Sequence, residues 1–483
     1  MGIRTGKQFI DGLRDGREVW YDGRRVEDVT AFPPFASAIR ELAALYDAQH
    51  VAAQRDVLTV DVPELGGRIG RAFEMPRTRE QLRGKRIAYI AWAEASCGML
   101  GRSPDFLNVM LTALAAKPRF FTELAPARAE AVVGYYRHVA RNDLFLTHAL
   151  LDPQLDKGRL RHQQRDPGVP LRVVDRTSTG LVVHGIKRIA TAAPYADEIL
   201  VWPFPPTFQP GEEPYANVFA IPMATPGLRT ICRPSFARTG HPADHPLSSR
   251  FDEMDATVVF DHVLVPWDRV FLHENIALLN RMYRETRMRE LTAHQTNARL
   301  EVKLGFLYAI CVRLAEAAGL DARGDIQEAL GEAAVRVEVI RNTTRAAEEQ
   351  AQVDADNGIL YPDLFALQAG RALGPVYYPE LLALMKRLAG GGLVQLPVSL
   401  AEFDSPIGAD LDRALSGAGL SGRDKTRLFK LVWDLVGTEF GARHELYEMN
   451  YAGERGALVA GVHREYSRRQ HYINHLDRFL GGL

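Results

Sequence analysis

Residues 171–191 read LRVVDRTSTGLVVHGIKRIAT, two runs rich in Val, Ile and Leu on either side of a Ser-Thr-Gly turn. Short β-branched runs bounded by turn residues are the signature of strands. Five further runs follow: DEILVW (197–202), NVFAIPM (217–223), LRTICR (228–233), ATVVFDHVLV (256–265) and DRVFL (268–272). Strands at such short, regular spacing predict a small β-sandwich or barrel rather than βαβ units.

Either side of this block the pattern is helical. Thr5 is placed to cap a short helix over Gly6–Leu13, and Asp22-Gly23 marks a two-residue hairpin inside REVWYDGRRVEDV. Pro33-Pro34 opens a helix with Phe35, Ile39, Leu42, Leu45 and Tyr46 at 3/4 spacing. Thr78 to Leu100 reads as one long helical stretch, Ser103-Pro104-Asp105 as a helix start, and 128–142 as another helix. After about residue 275 helical periodicity returns over His294–Ala318, Ile326–Gln352, Leu364–Leu388 and Lys425–Tyr451. The expected organisation is an α+β chain with a helical region and small hairpin (1–150), a β domain (151–275) and a helical bundle (276–483).

The 483 residues carry 59 Lys+Arg against 60 Asp+Glu, with 46% hydrophobic residues. Disorder and a disulfide scaffold are excluded, and without a basic excess a nucleic-acid partner is not expected. Cys97, Cys232 and Cys311 make no zinc spacing. MGIRTGKQ lacks the apolar core of a signal peptide, and no apolar run approaches a membrane span. A cytoplasmic protein is expected.

No dinucleotide fingerprint, phosphate loop or nucleophile elbow is present. His444 is followed four residues later by Glu448, where a zinc-binding helix would need a second His, and no metal is expected. Gly390-Gly391-Gly392 reads as a helix-ending break. Three constellations stand out. Gly101-Arg102-Ser103-Pro104-Asp105-Phe106 puts an arginine before a helix N-terminus, where it is a surface side chain beside a cap or a ligand group. Thr147-His148-Ala149-Leu150 places a histidine in an apolar setting at the helix-to-β junction, either a satisfied core residue or part of a cleft. Trp433-Asp434, Gly437-Thr438-Glu439-Phe440 and Arg443-His444-Glu445-Leu446-Tyr447 form a polar–aromatic stretch that serves packing or a site.

Together these segments resemble the large oxygenase component of the 4-hydroxyphenylacetate 3-monooxygenase family, two-component FAD-dependent aromatic hydroxylases. The resemblance runs nearly end to end, through RTGKQFIDGLRDGREVWYDGRRVEDVT, GRSPD, NDLFLTHALLDPQLDK, GIKRIAT, HPLSSRFDEMDATVVFDHVLVPWDRVF and WDLVGTEFGARHELYEMNYAG. It implies an acyl-CoA dehydrogenase-like fold. It also implies reduced FAD supplied by a separate flavin reductase, O2 as co-substrate, and hydroxylation of an electron-rich ring through a flavin C4a-hydroperoxide. The oxygenase is expected as a homotetramer or dimer.

By the same resemblance, Arg102 and His148 are the catalytic pair. An imidazole poised near neutral pH would take the phenol proton or stabilise the phenolate, and Arg102 would stabilise negative charge on phenolate or peroxide. Ser103, Phe106, Pro203 and Phe204 would join them around the substrate. FAD would lie against His148, Ala149, Leu150, Gln154, Leu155, Asp156, Lys157 and Thr191, and against Gly437, Thr438, Glu439 and Phe440 from the C-terminal bundle.

Two departures bear on the substrate. The family's hydroxyphenylacetate enzymes carry Tyr at the place of Phe106, and Ser-Thr near Pro203-Phe204 to bind the carboxylate. Neither hydroxyl nor carboxylate binder remains here, so a phenol other than plain 4-hydroxyphenylacetate is expected, free or tethered to a carrier. The alternatives are oxidative loss of a halide or nitro group from a substituted phenol, and an acyl-CoA dehydrogenase-like reaction. The iron–sulfur dehydratases of this fold are rejected, because their His-x6-Cys element falls on His294 and Glu301. A degenerate flavoprotein acting as a binding module is opposed by the retention of Arg102 and His148.

Overall fold

The computed structural model describes residues 2–153, 155–204, 207–451 and 453–482. Two sheets form its middle. The larger runs, in spatial order, through strands Arg24–Val26, Glu18–Tyr21, Leu228–Cys232, Asp255–Pro266, Gly180–Thr191 and Arg172–Arg176. The smaller runs through Val270–Leu272, Val218–Pro222, Glu198–Val201 and Leu146–Ala149. All seven runs read from the sequence are strands.

The flanking segments reach into these sheets. Asp22 and Gly23 both take positive φ (51° and 69°), the geometry that matches hairpin twist. That hairpin is not a separate appendage: Glu18–Tyr21 pairs in parallel with Leu228–Cys232 and buries Val19 completely. At residue 143 the preceding helix stops because Asp143 adopts the left-handed conformation (φ 48°). Its buried carboxylate accepts from Arg4 N and Gln49 Nε2. The chain then runs as strand Leu146–Ala149, buried throughout and parallel to Glu198–Val201, with His148 opposite Leu200. His148 thus belongs to the smaller sheet, not to the end of a helix.

Two helical stretches are shorter than their periodicity predicts. The first runs from Arg79 to Glu94, opened by a Thr78–Gln81 capping box. It ends because Cys97 and Gly98 turn at positive φ (53° and 73°), and a Cβ on Gly98 would lie 2.6 Å from Lys303 Cβ. That close approach brings the 99–103 loop against the helix Met288–Ala317. The second, 425–451, is two helices, Gly422–Val436 and Glu439–Asn450, broken where Thr438 Oγ1 accepts from Gly441 N.

The helix Pro104–Ala116 is buried along its whole length. It packs on Met288–Ala317, which also carries Gly324–Glu349 and Leu364–Ala389. Gly390 (φ 56°) ends the last of these. One apolar core joins both sheets to the C-terminal helices through Val258, Phe260, Leu304, Leu382 and Val432. A second gathers around Pro104–Ala116, Pro126–Asn142 and the smaller sheet. Among the described residues no helix is long and apolar enough to cross a membrane.

Candidate functional site

Arg102 leaves the tight 97–98 turn and enters a cage of aromatic rings. Its guanidinium carbon lies 4.3 Å from the Phe106 ring centre, 5.2 Å from Tyr451 and 5.3 Å from Tyr447. Its Nη1 donates to the Tyr447 hydroxyl, and its backbone N donates to Glu253 Oε1 at 2.6 Å. Cation–aromatic contacts of this kind gain strength when desolvated, and Arg102 is buried. The surface-arginine reading therefore falls.

His148 faces the same rings from the smaller sheet. Its imidazole centre is 6.0 Å from Phe106 and 5.7 Å from Trp202, and its buried Nδ1 has no partner among the described residues. Trp202 Nε1 donates to the Tyr283 hydroxyl, and Phe204 meets the Tyr283 ring edge-on at 5.6 Å. Pro203 is buried between them and Phe204 half-buried. Burial, with Arg102 adding to it, pushes the imidazole down to about 3. The expected poise near neutrality is thus corrected: His148 is held neutral, as a lone-pair acceptor rather than a cation.

Beneath the cage lies a buried ionic cluster. Arg299 donates twice to Glu448, at 2.8 and 2.9 Å, and once to Gly98 O at 2.9 Å. Lys303 donates to Glu448 Oε1 at 2.9 Å, with His444 Nδ1 3.1 Å from its ammonium. Burial opposes the Glu448 carboxylate, but Arg299 and Lys303 outweigh it and hold it at about 2. Burial lowers Lys303 to about 8 despite Glu448. Arg299 carries the Tyr451 ring 4.8 Å from its guanidinium.

A second cluster ties the C-terminal helix to the larger sheet. Arg443 donates to both oxygens of Asp255 (2.9 Å each) and to Glu253 Oε2 (3.1 Å). Arg233 joins from its other side, bonded to Asp252 and Asp255. Burial would raise the Asp255 carboxyl, yet the two guanidiniums hold it well below the usual range.

The remaining expected residues are spread more widely. Thr191 Oγ1 donates to Asp255 at 2.7 Å and its carbonyl takes Thr147 Oγ1 at 2.6 Å, so this side chain supports the second cluster. Ala149 is fully buried, and the Leu150 carbonyl accepts from Phe204 N and Lys187 Nζ. Ser103 Oγ donates to the buried Asp105, which also accepts from Gln295 Nε2. Leu155 is half-buried; Asp156 and Lys157 are exposed, and Gln154 lies outside the described residues. A buried lysine, Lys187 on strand Gly180–Thr191, pairs with Asp152 at 2.6 Å.

Gly437 and Thr438 break the helices, Glu439 pairs with Arg238 at the surface, and Phe440 packs on His444. Thr438 stands about 13 Å along the helix axis from Tyr447, so this tetrad is not part of the Arg102–His148 group within one chain. Trp202, Tyr283, Arg299, Lys303 and Tyr451 were not singled out from the sequence. Their common signal, polar or aromatic residues on buried or half-buried faces, appears only once the partners are assembled. One group with metal-ligand spacing exists among the described residues, His184, Asp261 and His262. Its Asp261 already carries Arg229.

Comparison with known proteins bears on this geometry directly. The family described as 4-hydroxyphenylacetate 3-hydroxylase matches through its N-terminal profile over residues 5–272 and its C-terminal profile over 279–481. The oxygenase component of 4-hydroxyphenylacetate 3-monooxygenase from Thermus thermophilus is 40% identical, covering 99% of this chain and 97% of its own. A crystal structure of the oxygenase component of 4-hydroxyphenylacetate 3-monooxygenase complexed with FAD and 4-hydroxyphenylacetate superposes with a TM-score of 0.94 at 40% identity. It covers 99% of this chain and 98% of that one. A glutaryl-CoA dehydrogenase from Mycobacterium smegmatis shares the fold alone, with a TM-score of 0.51 at 11% identity over 96% and 95% of the two chains. The chain belongs to the 4-hydroxyphenylacetate 3-hydroxylase family.

Proposed function

We propose that this chain is the oxygenase component of a two-component, FAD-dependent aromatic monooxygenase that hydroxylates a phenolic ring. It would take reduced FAD from a separate reductase and use O2 as co-substrate. The observation that carries this reading is the convergence of Arg102, Phe106 and His148 in one buried, aromatic-walled group of side chains. The residues fit a flavin ring beside a phenol: Nδ1 of His148 and Nε of Arg102 are buried without partners among the described residues. His148, Ala149 and Leu150 would hold the ring at the mouth of the smaller sheet. Gly437–Phe440 would meet a more distant part of the FAD, or that of a neighbouring subunit.

Bound reduced FAD supplies the activation of oxygen. The chain's own residues do the rest. Neutral His148 accepts a hydrogen bond from the phenol at Nδ1, and Arg102 stabilises the negative charge that develops on the phenol oxygen, an electrostatic role enhanced where water is excluded. Phe106, Trp202, Tyr283 and Tyr451 wall the ring and exclude solvent. Pro203 and Phe204 offer no side-chain donor to a carboxylate. The substrate is therefore a phenol without the arylacetate anchor, free or tethered to a carrier.

The test is a panel of phenols, halophenols, nitrophenols and carrier-tethered phenols supplied with reduced FAD and oxygen. We expect products heavier by one oxygen atom, with plain 4-hydroxyphenylacetate a poor substrate. Release of halide or nitrite would select the oxidative-elimination alternative. Reduction of bound flavin by NADH with no reductase present would overturn the two-component reading.

The assembly we propose is a homotetramer, or at least a dimer. Helices Arg455–Glu465 and Arg469–Leu480 bury none of their residues against their own chain. The second leaves Tyr472, Ile473, Leu476, Phe479 and Leu480 exposed at helical spacing, an apolar stripe that suits a second copy. Removing residues 467–483 is expected to lower the assembly mass in light scattering. A fully active wild-type monomer of 53.8 kDa would contradict the proposal.

A further inference from the structure

The mechanism above uses none of the Tyr283, Tyr447 and Tyr451 hydroxyls around the site, and among the described residues that of Tyr447 is the one bonded to Arg102. Tyr447 sits on the helix Glu439–Asn450, and its hydroxyl accepts the Nη1 hydrogen of Arg102. A phenol oxygen accepts and also donates. Among the described residues the Tyr447 hydroxyl donates to nothing. Its own hydrogen is therefore available at the point where Arg102 enters the pocket.

The position is held from several sides. A Cβ at residue 101 would lie 2.1 Å from the Tyr447 oxygen, so Gly101 is what lets the hydroxyl approach this loop. The Tyr447 ring stacks on Tyr451 with centres 4.8 Å apart and planes 28° from parallel. Arg299 lies 5.8 Å from the Tyr447 ring centre and 4.8 Å from that of Tyr451, and is itself fixed by Glu448 and Gly98 O. On the other side Arg443 approaches the Tyr447 ring to 5.0 Å. A side chain so surrounded has one place for its oxygen.

From this we infer that Tyr447 supplies the hydroxyl that Phe106 lacks. It holds the Arg102 guanidinium over Phe106 and donates its own hydrogen to the oxygen of the bound phenol. The inference rests on the phenol-site reading proposed above. Burial raises the Tyr447 hydroxyl well above its ordinary range, which keeps the hydrogen in place. Phe106 lies directly beneath the same guanidinium, so a hydroxyl restored there would reach the same oxygen from the neighbouring helix.

The experiment titrates the FAD-free protein with 4-nitrophenol, whose visible absorbance reports both binding and ionisation. The wild type is compared with Tyr447→Phe, Tyr451→Phe, and Tyr447→Phe combined with Phe106→Tyr. Each variant is first shown to be folded by its near-ultraviolet circular dichroism and melting. Loss of a hydrogen bond to a charged group corresponds to about a tenfold or greater weakening. Tyr447→Phe is expected to weaken nitrophenolate binding by about that factor and to raise the pH at which the bound probe ionises. Phe106→Tyr in that background should recover most of both effects, which a packing role would not allow. Binding by Tyr447→Phe within twofold of wild type, or a larger loss in Tyr451→Phe, overturns the assignment. Failure of the folded wild type to bind any phenol would instead sink the phenol-site reading, and the inference with it.

Discussion

Replacing His148 with alanine is expected to leave a folded protein that still consumes reduced flavin and oxygen but discharges hydrogen peroxide instead of hydroxylated product. Loss of a group positioned on the phenol's proton costs about 10²–10⁴-fold in the chemical step. The ratio of product to peroxide per reduced flavin is the quantity to measure. Folding should survive, because among the described residues the imidazole's buried Nδ1 has no partner to orphan, and its neighbours are the rings of Phe106 and Trp202. Unchanged coupling in folded His148→Ala protein would leave the histidine a packing residue.

The same substitution carries a pH signature. In the folded protein His148 is held at about 3 by burial and by Arg102, against 6.5 in an exposed chain. Between those values the unfolded chain binds a proton that the folded one refuses, so stability falls as pH falls through that window. His148→Ala removes this source of acid sensitivity, and its melting temperature should decline less than that of the wild type on acidification from 6.5 toward about 3. Above 6.5 both states hold the imidazole neutral and the term vanishes.

What was legible in the sequence follows from the range of the interactions involved. The seven β-rich runs are local patterns, and each is a strand. Asp22-Gly23 specifies its hairpin through backbone preferences alone, which no distant contact overrides. Strand Leu146–Ala149 was hidden because four residues have no period to show. The chain is turned there by Asp143, whose partners Arg4 and Gln49 lie far away in sequence. The break at Gly437-Thr438 was readable as a capping threonine but was masked by continuous helical periodicity on both sides.

The site divides in the same way. Arg102, Phe106 and His148 were singled out by their local settings and given roles by the resemblance, and the structure brings them together. Lys157, expected against FAD, is exposed in this chain, while Lys187, on a strand, is buried and reaches back to Asp152. Nothing local distinguishes the two lysines; the difference is made by sheet pairing. The aromatic cage was hidden for the same reason, since its rings come from both helical regions and from the smaller sheet.

The support beneath that cage should be the most sensitive point of the fold. In Glu448→Gln, the neutral amide leaves Arg299 and Lys303 buried without their carboxylate. Breaking one partner from a buried ionic cluster costs about 3–5 kcal/mol, far more than a surface pair. A loss of that size in the unfolding free energy, read from the shift of the denaturant midpoint at constant slope, is expected. The pocket should loosen with it, because Arg299 underlies Tyr451 and Tyr451 packs on Tyr447. Adding Lys303→Met should recover part of the loss, since the two substitutions share one cluster and cannot act independently. The pH dependence has a definite sign. Glu448 is held at about 2 against an ordinary 4.5, so its contribution is present above 4.5 and is lost as pH falls through about 2. The gap between wild type and Glu448→Gln should therefore narrow in acid. It should narrow in base as well: Lys303, already lowered to about 8 by burial, loses its proton more readily without Glu448, and a neutral amine no longer needs the missing charge. A gap that stays constant across both limbs would mean that Glu448 acts through its shape rather than its charge.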